Sequence, residues 1–119
     1  MTTVRGYKDL EVWQRAMNIC VNVYKMTQSL PKSENFGLTN QMRRAAVSIP
    51  SNIAEGHARP RRDFARFLQI ALGSLNEVET QLELSKRIGY LQDDDSSEIV
   101  QELAILGRQL NALKNKLRD

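Results

Sequence analysis

The feature that most constrains the fold is a pair of amphipathic helical patterns, at about residues 39–56 and 61–88, joined by the short basic stretch GHARPRR. In both patterns the apolar residues recur at intervals of three and four, which places them along one side of an α-helix. Gly56 is expected to end the first helix in a left-handed conformation, and Gly89 to end the second. Pro60 has the fixed φ that suits the start of a helix. The stretch therefore predicts a helical hairpin with positive charge at its turn.

Two further segments, at about residues 9–28 and 96–117, show the same periodicity. In the last one the spacing alternates between three and four, which is typical of a seam between bundled helices. Four amphipathic helices with short connections predict an all-α chain that folds as an up-down-up-down antiparallel four-helix bundle. The 119 residues are expected to form a single domain, with residues 1–8 frayed. Phe36 and Leu38, in the first connection, are expected to pack back on the bundle.

Composition excludes several classes of protein. No apolar run approaches the ~20 residues that are needed to cross a bilayer, and the N-terminus lacks the apolar segment of a signal peptide. A cytoplasmic location and no contact with a membrane are therefore expected. The one cysteine, Cys20, excludes an internal disulfide and a thiolate zinc site. Its place on an apolar stripe predicts that it is a buried small hydrophobic residue.

Residues that could carry chemistry are scarce. Di-metal sites in four-helix bundles use inward-facing glutamates together with Glu-x-x-His pairs. This chain has a single histidine, His57, which lies in a turn, and it has no such pair. It also lacks a glycine-rich phosphate loop and a nucleophile accompanied by a base. We therefore predict no catalytic residue, no metal site and no cofactor, and we expect that the protein is not an enzyme.

Positive charge is concentrated in the hairpin. The chain has a formal charge of +3, and residues 41–66 contain six arginines against Glu55 and Asp63. Arg62 and Arg66 repel each other one turn apart, and they stand at a helix N-terminus, where cations are unfavourable. A bound anion, most simply nucleic-acid phosphate, would relieve both penalties. The predicted nucleic-acid-binding residues are Arg59, Arg61, Arg62, Arg66, Arg43 and Arg44.

Structural explanations of these cations remain open. The turn can be a solvated surface in which Glu55 pairs with Arg62 or Arg66. Arg43 and Arg44 are expected to lie opposite residues 74–77 of the next helix, where an ion pair with Glu77 would explain them without a ligand. A further cationic group in the last turn of the fourth helix suits the helix dipole. Its members are Lys114, Lys116 and Arg118.

A polar set recurs at helical spacing within the second helix: Ser48, Asn52 and Glu55. Buried polar groups need hydrogen-bond partners, because each unpaired group costs roughly 1–3 kcal/mol. We therefore predict a polar network at these three residues. Opposite them, Gly73 and Ser74 would allow the two helix backbones to approach closely.

Three blocks of sequence carry a resemblance to a known family: YKDLEVWQRA at residues 7–16, GLTNQMRRAAVSIPSNIAEG at 37–56 and FLQIALGSLNE at 67–77. They resemble the bacterial four-helix bundle proteins that are encoded in intervening sequences of 23S ribosomal RNA genes, also called S23 ribosomal proteins. The resemblance implies a four-helix bundle that assembles as a homopentamer. It also implies kinship with the accessory variability protein of diversity-generating retroelements, which binds nucleic acid and a reverse transcriptase.

Together, the residues and the resemblance predict a non-enzymatic homo-oligomer whose basic turn binds nucleic acid, either DNA or structured RNA, without strong sequence specificity. The alternative is a structural or adaptor protein whose partner is another protein, such as a reverse transcriptase. Arginines that are already paired to acids would favour this alternative. Apolar residues beside the main stripes are expected to form the surface for self-association. They are Val47, Ala54, Phe67, Ile70 and Leu72.

Overall fold

Four α-helices make up most of the chain in the computed structural model, which describes residues 6–118. They are α1 (Glu11–Thr27), α2 (Leu38–His57), α3 (Arg61–Ile88) and α4 (Asp93–Arg118). The described range contains no β-strand, so the predicted all-α class with four helices is confirmed. The helix α4 begins three residues before its predicted start. The prediction of a frayed N-terminus is wrong for residues 6–8, which belong to a short 3-10 helix, and residues 1–5 lie outside the described part.

Consecutive helices run in opposite directions. Thr27, at the end of α1, contacts Arg43 near the start of α2, whereas Cys20 contacts Ala46 further along α2. The connections after α2 and after α3 are so short that the chain must reverse there as well. The helix α4 packs against both α3 and α1, and α2 packs against both α1 and α3. This arrangement is compatible with a four-helix bundle.

The core is built from the aliphatic stripes that the periodicity predicts. Its largest fully buried side chains come from all four helices. They are Ile19, Val23, Met42, Ile49, Ile53, Leu68, Val78, Leu82, Leu103, Leu106 and Leu110. Cys20 is also buried, as predicted, and its thiol donates a hydrogen bond to the carbonyl oxygen of Ala46 at 2.9 Å. Burial raises the pKa of Cys20 to about 11, so the thiol is protonated at neutral pH. None of the helices in the described range is long and apolar enough to cross a bilayer.

Gly56 does not have the role that the sequence suggested. The helix α2 continues through it to His57, and its φ angle is not positive. A Cβ atom at this position would lie 2.5 Å from Cβ of Phe67 and 3.0 Å from Cδ1 of Phe64. Glycine is therefore required here because α2 and α3 approach each other closely. The predicted left-handed residue at the end of α3 is confirmed, since Gly89 has a φ of 97°.

Phe36 does not pack on the bundle. Its side chain is 97% exposed, whereas Leu30 and Leu38 on either side of it in the sequence are buried. These two leucines belong to the hydrophobic core, whereas the ring of Phe36 is in solvent. The expectation is therefore correct for Leu38 and wrong for Phe36.

The start of α2 is held by a carboxylate from the connection before it. Oε1 of Glu34 accepts a hydrogen bond from the backbone N–H of Leu38 at 3.1 Å, and Oε2 accepts one from the hydroxyl of Tyr90 at 2.9 Å. Glu34 thereby links the α1–α2 connection to the α3–α4 connection. The hydrogen bond from Leu38, and secondly that from Tyr90, lower the pKa of Glu34. Accepting the Tyr90 hydroxyl also raises the pKa of Tyr90.

Acid is expected to weaken this link. Because the pKa of Glu34 is lowered on folding from its ordinary 4.5, the stability it contributes is present above that value and is lost as the pH falls through the folded-state pKa. Glu34→Gln should therefore lower the thermal midpoint at about pH 7, and the gap to the wild type should narrow as the pH falls below 4.5. Thermal melts followed by circular dichroism across this range measure the gap. A gap of the same size at every pH would contradict the assignment.

Candidate nucleic-acid interface

The basic turn lies at the end of the molecule where α2 ends and α3 begins. Pro60 precedes α3 with a φ of −58°, which suits the first turn of a helix. The ring of His57 packs edge-on against Phe64, with 5.6 Å between the ring centroids. The turn is thus anchored on its inner side, and its arginines lie on the outer side, exposed to solvent.

Arg59 is partly neutralised. Its Nη2 atom lies 3.2 Å from Oε1 of Glu55, and its guanidinium group lies over the ring of Phe67, 5.1 Å from the centroid. Both charged side chains are about half exposed, so the ion pair contributes little to stability. The predicted pairing of Glu55 with Arg62 or Arg66 is not found. Glu55 instead pairs with Arg59, which lies four residues further along the chain.

Arg61 has a structural contact. Its Nη2 atom donates a hydrogen bond to the carbonyl oxygen of Lys116 at 2.9 Å. The last carbonyl groups of a helix have no partner within the helix, so Arg61 satisfies one of them and fastens the turn to the end of α4. A phosphate that binds Arg61 has to share the guanidinium group with this carbonyl.

Of the four arginines at the turn, Arg62 and Arg66 have the weakest side-chain contacts with the rest of the protein. Arg66 lies 3.6 Å from Asp63, but 76% of its side chain is exposed. Arg62 is exposed, and its side chain has no ion pair or hydrogen bond to the rest of residues 6–118. Arg62 stands in the first turn of α3, where the helix dipole disfavours cations, and Arg66 stands one turn further on. These two guanidinium groups are therefore the most available to an anionic ligand.

The contribution of α4 to this surface was not predicted from the sequence. The last turn of helix α4 lies beside the α2–α3 connection. The carbonyl oxygen of Lys116 accepts a hydrogen bond from Arg61, and Nζ of Lys114 donates one to Oε1 of Gln69 at 2.7 Å. The signal was present in the predicted topology, because antiparallel packing places the end of α4 next to the start of α3. We call residues 55–66 and 112–118 the basic end. It contains seven lysine and arginine residues against two acidic residues.

Arg43 and Arg44 do not belong to the basic end. Nε of Arg43 donates to Oγ1 of Thr27 at 2.8 Å, and the guanidinium group lies over the ring of Tyr24, 4.6 Å from its centroid. The predicted pair of Arg43 with Glu77 is therefore wrong: successive helical residues point about 100° apart, and Arg43 faces α1. Arg44 is exposed and lines a depression on the α2–α3 side together with Glu77, without an ion pair.

Distance along the helix separates these two arginines from the turn. From Arg43 to His57, at the end of α2, is about 20 Å at the rise of an α-helix. The six arginines singled out from the sequence therefore do not share one surface, and only four of them lie at the basic end.

The predicted polar network forms in part. Oγ of Ser48 lies 2.8 Å from Oγ of Ser74, and Nδ2 of Asn52 donates to Oγ of Ser48 at 2.9 Å. Glu55 takes no part, because its carboxylate turns to Arg59. Ser74, which was noted in the sequence only as a small residue, is the partner that the network required. These bonds join α2 to α3, so they hold the hairpin together.

The apolar residues that were expected at the surface differ in their exposure to solvent. Val47 and Ile70 are about half exposed, whereas Leu72 is buried. The helix α3 packs against both α2 and α4, so its buried stripe is wide enough to include Leu72. The expectation of an exposed side chain is therefore wrong for that residue.

An exposed apolar row on α1 was not anticipated. Its residues lie on successive turns of the helix, and they are Met17, Val21 and Tyr24. Next to Met17, a groove of about 330 Å³ opens between α1 and α2. Its lining includes Trp13, Val47, Pro50 and Ala54. This side of the molecule thus combines an apolar groove with exposed apolar side chains.

No group of three or more histidine, cysteine, aspartate or glutamate side chains within residues 6–118 is placed to hold a metal ion. The absence of a metal, of a cofactor and of catalysis stays a prediction from the sequence.

Comparison with known proteins agrees with the fold. The sequence profile of the family described as 23S rRNA-intervening sequence protein matches residues 8–112. The crystal structure of a protein of unknown function from the S23 ribosomal protein family of Bacteroides thetaiotaomicron is similar, with a TM-score of 0.77 and 27% sequence identity. The alignment covers 87% of this chain and 97% of that one. No curated protein matches the sequence. The family predicted from the sequence is therefore confirmed, and the chain belongs to the 23S rRNA-intervening sequence protein family.

Proposed function

We propose that this protein is a non-enzymatic, homo-oligomeric helical bundle of the cytoplasm that binds nucleic acid, either DNA or structured RNA, through its basic end. One observation carries the proposal. Arg62 and Arg66 are exposed, they stand one turn apart, and they occupy a helix N-terminus. Their mutual repulsion and the helix dipole both oppose this placement. A phosphate bound between them would be attracted by both cations and by the helix dipole, and would thereby offset both penalties.

The chemistry of the basic end suits phosphate groups. The planar guanidinium fork of arginine can bind two oxygens of one phosphate at the same time. Contacts to phosphate position a protein on nucleic acid but carry no information about base sequence. We therefore expect binding without strong sequence preference.

Equilibrium titration tests this proposal. Labelled DNA duplex and labelled structured RNA of arbitrary sequence are titrated with the protein, and fluorescence anisotropy is measured at about 50 mM and about 200 mM salt. We expect binding at the lower salt, and a fall with a log–log slope of about 0.7–0.9 for each phosphate contacted. If neither the DNA nor the RNA binds at about 50 mM salt, the proposal is overturned in favour of the alternative below.

The second candidate is a structural or adaptor protein whose partner is another protein, such as a reverse transcriptase. The apolar groove between α1 and α2 and the exposed ring of Phe36 favour it, since apolar surface of this kind marks protein interfaces. This candidate requires no ligand at the basic end.

Self-association is part of the proposal. The family resemblance suggests five copies, and a ring of five basic ends would multiply weak phosphate contacts into useful avidity. The exposed row on α1, together with Val47 across the groove, supplies apolar surface that a second copy can cover.

A charge placed in this surface should separate the copies. We expect the wild type to have a mass several times the 13.6 kDa of one chain in gel filtration with light scattering, and Val47→Arg to approach the mass of a single chain. Gln101→Arg, on an exposed position of α4, is the control and should keep the wild-type mass. A wild type that runs as a single chain at micromolar concentration would overturn self-association.

A further inference from the structure

The cations of the basic end lie in two rows. One row belongs to the α2–α3 turn and the first turns of α3, and it contains Arg59, Arg62 and Arg66. The other belongs to the last turn of α4, where Lys116 and Arg118 are exposed. The rows are 50 or more residues apart in sequence, and the hydrogen bond from Arg61 to the carbonyl oxygen of Lys116 brings them side by side.

The spacing of the two rows follows from helix packing. Neighbouring packed helices have axes about 8–10 Å apart, and α3 and α4 are such neighbours. The grooves of duplex DNA are about 6 Å and 12 Å wide. Two rows at this separation can therefore contact phosphates on both sides of one groove. A single strand offers one line of phosphates and would have to cross from one row to the other to contact both.

The aromatic rings at this end provide a second argument. Proteins that bind single strands usually stack the bases on exposed aromatic side chains. Here Phe64 is buried, and Phe67 lies beneath the guanidinium group of Arg59. The ring of His57 stands edge-on against Phe64. Within the basic end, the rings of both phenylalanines are thus occupied by contacts of the protein itself.

We infer that the basic end is a site for double-stranded nucleic acid, in which the turn of α2 and α3 contacts one strand and the last turn of α4 contacts the other. This inference rests on the proposed function and adds to it the class of ligand and two further binding residues, Lys116 and Arg118. A duplex of DNA and a duplex of RNA present the same chemistry to this surface, namely two lines of phosphate across a groove.

The test compares a duplex with its own strands. Labelled DNA duplex, RNA duplex and the separate strands are titrated with the wild-type protein at the same phosphate concentration and at about 100 mM salt. We expect at least one duplex to bind about ten times more tightly than either of its strands, because a duplex carries twice the charge per unit length and meets both rows. The affinities of the two duplexes show whether the protein prefers double-stranded DNA or double-stranded RNA.

Variants then test the role of α4. Lys116→Gln with Arg118→Gln should lower the salt slope for the duplex by about 2, at about one unit for each cation removed, and leave single-strand binding nearly unchanged. Lys25→Gln with Lys32→Gln, an exposed pair at the opposite end of the bundle, is the matched control and should bind like the wild type. Circular dichroism and light scattering should show that both variants keep the helicity and mass of the wild type.

The outcomes separate this inference from the proposed function. Single strands that bind as tightly as the duplex, or an α4 variant that keeps the full preference for the duplex, would overturn the inference and leave nucleic-acid binding in place. Absence of binding to every one of these ligands would overturn the proposed function and the inference together.

Discussion

Replacing Gly56 by alanine is expected to destabilise the protein by about 1–3 kcal/mol, which is the cost of forcing extra atoms into a packed interface. The new Cβ atom would lie 2.5 Å from Cβ of Phe67, and that atom is fixed close to the backbone of α3. The two helices would have to move apart, and packing along the hairpin would weaken. Helix propensity alone predicts the opposite sign, because alanine is favoured over glycine in a helix by about 1 kcal/mol.

Gly73 provides a matched control in α3. A Cβ atom there would meet nothing within 4 Å, and the residue is exposed in the interior of the helix. Gly73→Ala should therefore stabilise the protein by about 0.5–1 kcal/mol. Chemical denaturation followed by circular dichroism measures both changes. If Gly56→Ala were as stabilising as Gly73→Ala, the close approach of α2 and α3 would be wrong.

Truncating Leu106 to alanine should be still more damaging, with a loss of about 2–5 kcal/mol. The side chain is fully buried among the aliphatic residues of the core. Its removal reduces apolar burial and leaves a cavity that rigid neighbouring helices fill only in part.

Leu84→Ala is the control for this substitution. The side chain of Leu84 is 46% exposed, so its truncation should cost less than about 1 kcal/mol. The same denaturation experiment compares the two variants. Equal losses for Leu84 and Leu106 would show that α4 does not pack on the core as described.

The sequence predicts the helices well because each one has an apolar stripe with a clear period. It does not fix the rotation of a helix about its axis closely enough to assign polar contacts. Arg43 and Arg44 are neighbours in sequence, yet one faces α1 and the other faces the α2–α3 side. A prediction that treats the two residues alike is bound to fail for one of them.

Gly56 shows a second limit. Glycine near the end of a helix fits both a left-handed cap and a close approach between helices. The two roles differ only in what lies opposite, which here is Phe67 on the next helix. The contribution of α4 to the basic end depends in the same way on contacts between distant segments, since Lys116 meets Arg61 only in the folded chain.

The most direct test of a nucleic-acid site at the basic end replaces the two arginines that have the weakest contacts with the rest of the protein. Arg62→Ala with Arg66→Ala should lower the log–log salt slope of nucleic-acid binding by about 2, at about one unit for each arginine that binds a phosphate. Arg44→Ala with Arg87→Ala takes the same charge from exposed residues outside the basic end and is the matched control. We expect a reduced slope and weaker binding for the first variant, and wild-type values for the second. An unchanged slope in the Arg62/Arg66 variant, or an equal reduction in both variants, would contradict a nucleic-acid site at the basic end.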